Sequence, residues 1–120
     1  MYMEILRYLV ELVGTFLFVY VILNVSNGTK GFTSDPTLGA LTICLTLLAV
    51  IFAFGHISGG FFNPAISVAK FMENKPEFKL INLIGYIIAQ VLGALFAFKL
   101  WQITSGSVVT SIIPRKVPFL

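Results

Sequence analysis

The chain has 120 residues, 58% of them hydrophobic and 11% charged, and its formal net charge is +3. A fold of this size cannot bury so much apolar surface in its own core, which excludes an ordinary soluble domain and indicates lipid as the solvent. The scattered basic residues exclude a nucleic-acid-binding stripe, and the single cysteine, Cys44, excludes a disulfide framework or a cysteine metal site; we expect Cys44 to be a small core side chain.

The first predicted membrane span covers about residues 8–25 and contains one acidic residue, Glu11. A bilayer core takes ~20 helical residues, which this stretch nearly reaches. Arg7 before an apolar run is also typical of a signal peptide, but no clear small-residue cleavage site follows, so we expect a retained span. The polar loop that follows has glycosylation sequons at Asn24 and Asn27. Both lie very close to the span, so we do not expect them to be glycosylated.

The run from Pro36 to Ala69 contains no Lys, Arg, Asp or Glu. As one helix it would be ~51 Å long, which is too long for a single crossing of a core ~30 Å thick. Glycines from Gly55 onward and the later pair Asn63-Pro64 interrupt its second half. We therefore expect a second span over about residues 38–54, and then a segment over residues 56–72 that enters the membrane without crossing it. A single Pro-kinked spanning helix is the alternative.

The segment after the second span predicts a cavity, because non-helical backbone over residues 56–62 needs protein or water at membrane depth. Asn63 is a good N-cap and Pro64 suits the first helical position, so a short helix is predicted from Pro64 to Met72. It would be ~13 Å long, about half the core thickness, which places Asn63 near the midplane. The positive N-terminal end of that helix would oppose cations and protons, while the Asn63 amide could donate to a passing oxygen.

The third predicted span covers about residues 80–98, and Gln90 is its only strongly polar side chain. Trp101 marks a membrane interface, and residues 102–120 are expected to form a tail too short and interrupted for another span. Small residues in the spans predict close helix packing, either within the chain or with a second copy. They are Gly14 in the first span and a four-residue repeat in the third, Gly85, Ala89, Gly93 and Ala97.

Three segments occur in a recognisable order over about residues 5–100. They are Glu11-Leu12-Val13-Gly14-Thr15-Phe16, Gly55-His56-Ile57-Ser58-Gly59-Gly60-Phe61-Phe62-Asn63-Pro64-Ala65, and Ala89-Gln90-Val91-Leu92-Gly93-Ala94. Together they resemble the first repeat of the major intrinsic protein family, the aquaporins and glycerol facilitators. The resemblance implies an all-α transmembrane fold over residues 1–101, with three membrane-spanning helices and one re-entrant half-helix.

The resemblance also implies a role for each matching residue. Asn63, Pro64 and Ala65 would cap the half-helix at the centre of a pore. Glu11 would accept hydrogen bonds from the re-entrant backbone, and Gln90 would support the same loop. A further set would line the pore or its constriction: Ile43, His56, Ile57, Ser58, Gly59 and Gly60.

The implied function is a passive channel for water or small neutral solutes such as glycerol. The family's second repeat carries an arginine directly after its Asn-Pro-Ala, where this sequence has Ile66. A pore built from two copies of this sequence would lack that arginine, so strict water selectivity is not implied. One histidine, one cysteine and no clustered carboxylates in the spans give no catalytic constellation, and we expect neither enzyme activity nor a cofactor.

The sequence matches the first repeat only, so a pore would need a second half. Orientation in a membrane follows the bias of Lys and Arg between its two faces, and here we expect four on each face. Such balance favours a dual-topology antiparallel homodimer for each pore. The alternative is a non-conducting remnant, or a subunit that needs a separate second-half chain. The basic residues are Arg7, Lys70, Lys75 and Lys79 on one face and Lys30, Lys99, Arg115 and Lys116 on the other.

Overall fold

The computed structural model describes residues 1–26 and 35–105 and contains four α-helices in these ranges. Three of them, α1, α2 and α4, are long and apolar enough to cross a membrane, whereas α3 has only nine residues. The predicted all-α transmembrane fold, with three spanning helices and one half-helix, is confirmed. The helices are α1 (Tyr2–Ser26), α2 (Pro36–Ser58), α3 (Pro64–Met72) and α4 (Leu80–Thr104).

The helices α1 and α4 pack side by side and run in the same direction. Near their N-terminal ends, Asn82 Nδ2 donates to Glu4 Oε2 over 2.6 Å. Towards their other ends, the hydroxyls of Tyr20 and Thr104 lie 3.0 Å apart. We call the membrane face at the first of these ends the N-terminal face.

Small residues allow α1 and α4 to approach closely. A Cβ atom at Gly93 would overlap the backbone carbonyl of Leu12, and one at Gly85 would lie 2.5 Å from the ring of Tyr8. The predicted stripe on α4 therefore packs against α1 of the same chain. Its two alanines are buried as well: Ala89 and Ala97.

The helix α2 runs antiparallel to α1 and is longer than predicted. Residues 56–58, which we assigned to the re-entrant loop, are the last residues of α2, so only residues 59–62 and the N-cap Asn63 separate it from α3. The assignment was wrong because Gly55 weakens the helix without ending it. The helix ends instead where Gly59 adopts a left-handed conformation (φ 95°) and donates its N–H to the carbonyl of Gly55.

The other helices also extend beyond the predicted spans of residues 8–25 and 80–98. Hydropathy located the apolar stretches, whereas helical hydrogen bonding continues past them at both ends of α1 and at the C-terminal end of α4. Residues 102–104, which we assigned to the tail, complete α4, and residues 106–120 lie outside the described part of the chain.

Two smaller expectations concern Asn24 and Cys44. The Asn24 sequon lies inside α1, where its Nδ2 donates to the carbonyl of Tyr20 over 2.8 Å, and the Asn27 sequon lies outside the described residues. Cys44 is exposed on α2, so its placement in a core was wrong. A chain solvated by lipid has no need to bury its apolar side chains.

The alternative of one Pro-kinked spanning helix is wrong. The chain leaves the helical conformation after Ser58, and α3 leads back to the N-terminal face. Lys70 and Lys75 line the same cavity as Arg7, which lies near the start of α1. The segment from Gly59 to Met72 therefore enters and leaves on one side.

Candidate functional site

The segment between α2 and α3 reaches the middle of α1. The ring of Phe62 is 2% exposed and lies directly on Gly14, the central residue of α1. A Cβ atom at Gly14 would overlap that ring. Because α1 spans the membrane, Phe62 and the following Asn63 lie near its mid-depth.

The fully buried carboxylate of Glu11 holds this segment. It accepts hydrogen bonds from four donors in two other parts of the chain. A carboxylate inside a span is costly unless such donors satisfy it, and here it organises the re-entrant backbone. The donors are Ser58 Oγ (2.6 Å), Phe61 N (3.0 Å), Phe62 N (2.6 Å) and Gln90 Nε2 (2.9 Å).

The fully buried Gln90 extends this network to α3. Its Nε2 donates to Ser67 Oγ over 2.8 Å, and its Oε1 lies 3.2 Å from the same hydroxyl. Ser67 is also fully buried. One polar network thus joins α1, α3, α4 and the re-entrant backbone.

Left-handed backbone makes the turn into the membrane possible. Gly59 and Gly60 have φ values of 95° and 67°, a region that glycine adopts without steric cost. Phe62 has a φ of 48°, which is uncommon for a bulky residue. Its N–H bond to Glu11 and its burial against Gly14 hold it there.

Asn63 is the exposed polar group at mid-depth. Its Oδ1 accepts from the backbone N–H of Ala65 over 2.9 Å, so it is the N-cap of α3, and Pro64 is the first helical residue. Among the described residues, its Nδ2 has no hydrogen-bond partner. A donor amide and the positive end of a helix are therefore presented together at the middle of the membrane.

Ile43, the predicted constriction residue, is half-buried in α2. Helical spacing puts it on the same face as Leu47 and Phe54, which pack against the cluster around Phe62. It lies four residues before Leu47, about 6 Å farther from the N-terminal face. The structure therefore separates Ile43 in depth from the re-entrant residues but places it on the same side of α2.

A cavity of about 390 Å³ opens at the N-terminal face. The predicted residues His56, Ile57, Ser58 and Gly59 line it, together with charged residues of the loop after α3. In that loop Glu73 binds Lys70 over 2.7 Å and Lys75 over 2.8 Å. These hydrogen bonds, first that from Lys70, lower the pKa of Glu73 to about 2.

Sequence reasoning missed three contributors to the site. The Tyr86 hydroxyl donates to the carbonyl of Ser58 over 2.6 Å and so caps the end of α2. Ser67 and Phe78 also contact the re-entrant element or its supports. The position of Tyr86, one turn before Gln90 on the same face of α4, was a usable signal; the other two depend on tertiary contacts alone.

These features define a class of protein: an integral, multi-pass membrane protein in which a re-entrant half-helix directs its N-terminus to mid-bilayer. The chain belongs to the family described as major intrinsic protein, whose family model matches residues 2–116. No solved structure shows a significant match.

Curated relatives agree with that assignment. Aquaporin Z from Photorhabdus laumondii is 39% identical over 106 residues, which are 82% of this chain and 43% of the relative. Glycerol uptake facilitator protein-like 6 from Lactiplantibacillus plantarum is 37% identical over 76% of this chain and 40% of the relative. Nodulin-26 from Glycine max is 33% identical over 72% of this chain and 32% of the relative. The chain thus spans well under half the length of these relatives.

Proposed function

We propose that this chain supplies one half of a passive membrane pore for water, for small neutral solutes such as glycerol, or for both. The observation that carries the proposal is the exposed Asn63 amide at the N-terminus of α3, at mid-depth. Lipid cannot satisfy such a donor, whereas a passing hydroxyl or water oxygen can. The names of two relatives, an aquaporin and a glycerol uptake facilitator, support the same choice of solutes.

Neutral solutes fit this site better than ions. The positive end of α3 opposes cations at the narrow centre. The side chains around it are mostly apolar, and the polar groups are sparse, which favours small uncharged molecules that exchange one hydrogen bond at a time. Ile66, which follows the capping residues, adds no charge that would restrict the pore to water alone.

The second half of the pore comes from a second copy in the opposite orientation. The exposed end of α3 needs a polar partner at mid-depth, and a second re-entrant element entering from the other face would meet it there. The sequence predicts four basic residues on each face, and such a balance would leave the orientation unbiased. The structure describes five of the eight basic residues. Lys99 lies at the end of α4 that is remote from the N-terminal face. The other four lie on the N-terminal face: Arg7, Lys70, Lys75 and Lys79.

The specific alternative is a subunit that conducts only with a separate second-half chain, or does not conduct at all. The chain spans 43% of the length of the aquaporin relative and 40% of that of the glycerol uptake facilitator relative. The orientation distinguishes a second copy from another chain, because only the antiparallel homodimer requires both orientations in one membrane.

Permeability of reconstituted vesicles tests the pore. In stopped-flow light scattering we expect vesicles with the chain to respond to water or glycerol gradients faster than empty vesicles. Asn63→Asp keeps the acceptor that caps α3 but replaces the free donor with a charge, so it should lower permeability. Asn74→Asp makes the same substitution at an exposed loop residue that does not line the cavity, so it is the control and should change nothing. Equal rates for wild-type and empty vesicles would overturn the channel in favour of the non-conducting subunit.

Cysteine labelling tests the orientation. In a Cys44→Ser background, Lys75→Cys and Lys99→Cys place one thiol near each end of the molecule, and both lysines are exposed. A membrane-impermeant reagent should label half of each population from either side if both orientations occur. Labelling of each site from one side only would exclude the antiparallel homodimer. Co-purification of a second protein would then identify the other half.

A further inference from the structure

Phe78 lies in the surface loop between α3 and α4, yet its ring packs against the base of the re-entrant element. Its centroid is 5.5 Å from that of Phe61 and 5.0 Å from that of Tyr86. The rings of Phe61 and Tyr86 are themselves 5.4 Å apart. Phe78 meets the other two rings edge-on, at 73° and 78°, which is an attractive geometry for aromatic pairs. We call these three residues the aromatic clamp.

The two partners of Phe78 hold the start of the re-entrant segment. The ring of Phe61 covers Gly59, where a Cβ atom would lie 2.7 Å from it, and the Phe61 N–H donates to Glu11. Tyr86 is 2% exposed and bonds the carbonyl of Ser58. The clamp therefore contacts this segment from the N-terminal face, while Glu11 holds it from α1.

The loop that carries Phe78 reaches residues 59–62 through these rings. The polar contacts of the loop run elsewhere: the N–H of Phe78 donates to the carbonyl of Lys75, and the N–H of Lys79 to the side chain of Asn82. The salt bridges of Glu73 stay within the loop and the end of α3. Among the hydrogen bonds, ion pairs and ring contacts of the described residues, the Phe78 ring is thus the contact that couples this surface loop to the turn into the membrane.

We propose that Phe78 is a positioning residue, which presses Phe61 onto Gly59 and so keeps the strained turn, and with it Asn63, at the depth where a pore would use it. The turn needs external support because Phe62 has a left-handed backbone conformation, which is uncommon for a bulky residue. The consequence for permeation rests on the proposed channel function; the effect on the backbone does not.

Hydrogen exchange tests the backbone effect without reference to transport. In the wild type, the N–H groups of Phe61 and Phe62 donate to the Glu11 carboxylate, so we expect them to exchange slowly. Phe78→Ala should speed their exchange by roughly twofold to tenfold, the range that corresponds to losing a typical aromatic contact. Phe78→Tyr keeps the ring and should restore the wild-type rate. Phe98→Ala is the matched control, because it removes a ring contact with Trp101 at the other end of α4.

Stopped-flow permeability of the same variants supplies the second measurement. We expect Phe78→Ala to change the ratio of glycerol to water permeability, with Phe78→Tyr and Phe98→Ala at the wild-type ratio. If Phe78→Ala does not fold, Phe78→Leu, which keeps apolar volume but loses the ring, replaces it. If Phe78→Ala speeds amide exchange at Phe61 and Phe62 but the wild-type protein conducts neither water nor glycerol, the aromatic clamp is supported and the proposed channel function is rejected. Unchanged exchange at Phe61 and Phe62 in a folded Phe78 variant would overturn the clamp.

Discussion

At the residue scale, the site depends on Glu11 and Gly14 of α1. Glu11 accepts four hydrogen bonds from groups 47 to 79 residues away, so one side chain fixes the end of α2, the turn and α4 together. Gly14, one turn later, leaves room for the ring of Phe62. Glu11 satisfies backbone N–H groups that lipid could not satisfy. Gly14 leaves space that a larger side chain would fill.

Replacing Glu11 should destabilise the fold. Glu11→Gln keeps the shape but turns one acceptor into a donor, which leaves a buried N–H unpaired at a cost of ~1–3 kcal/mol. Glu11→Ala leaves all four donors without an acceptor and should cost more. Thermal unfolding in detergent, followed by size-exclusion chromatography, measures both, with the exposed Glu77→Gln as the control. A Glu11→Gln melting temperature equal to that of the wild type would contradict this role.

Replacing Gly14 should overpack the site. Gly14→Ala places a Cβ inside the ring of Phe62, and such overpacking costs ~1–3 kcal/mol. The second change Phe62→Leu should recover part of the loss by removing the ring. Gly55→Ala is the matched control, since its nearest neighbour would be Ile51 Cγ2 at an ordinary 3.5 Å. Equal melting temperatures for Gly14→Ala and Gly55→Ala would show that the ring moves freely.

At the element scale, α3 is too short to be stable by itself, because isolated helices below ~12 residues are marginal. Its N-terminus is capped by Asn63, and Ser67 ties its middle to Gln90. At its C-terminus Glu73 binds two lysines, one in the last turn and one in the loop. The half-helix is therefore held by contacts at its start, middle and end.

The ion pairs of Glu73 with Lys70 and Lys75 predict that the stability of the fold depends on pH in acid. The pKa of Glu73 is lowered from 4.5 to about 2, so its ion pairs contribute fully above about pH 4.5 and are lost as the pH falls towards about 2. Glu73 in turn raises the pKa of Lys75, so that contribution persists to alkaline pH. The difference in melting temperature between the wild type and Glu73→Gln should be small, because the cluster is exposed. It should stay constant across neutral pH and vanish in strong acid; a difference that persists unchanged below about pH 2 would contradict the ion pairs as its cause.

At the scale of the whole molecule, the architecture leaves one polar end uncovered. The spanning helices α1, α2 and α4 present mostly apolar side chains outward, which suits lipid. The end of α3 at Asn63 is exposed at the same depth, where lipid is a poor solvent. The described part of the chain thus suits lipid along its spanning helices and presents at Asn63 a polar group that lipid cannot satisfy.

Charge engineering tests whether two orientations cooperate. Met3→Lys with Glu77→Lys raises the expected basic count on the N-terminal face from four to six, and Lys75→Gln with Lys79→Gln lowers it from four to two. Each double variant should insert in one orientation and lose permeability when expressed alone. Co-expression should restore permeability, because the two populations then face each other. Full permeability of either variant alone would contradict an antiparallel pore.

The sequence by itself determined the elements and the turn. A charge-free run too long for one crossing, Asn63 before Pro64, and the half-helix that ends at Met72 are local properties, so chain-order reasoning located them to the residue. The resemblance directed attention to Glu11 and Gln90. The prediction that α2 ends before Gly55 was wrong. A glycine lowers helix propensity, but it does not determine whether the following residues find helical hydrogen-bond partners.

Only the tertiary structure decided what those elements contact. It showed that the small-residue stripe of α4 packs on α1, that Glu11 meets donors as distant as Gln90, and that Phe78 reaches Phe61. Such contacts join residues far apart in the chain, and their geometry depends on how three helices pack. Sequence patterns indicate which hydrogen bonds and which polarity each segment needs. The packing of the helices in three dimensions decides which other segment supplies those hydrogen-bond partners.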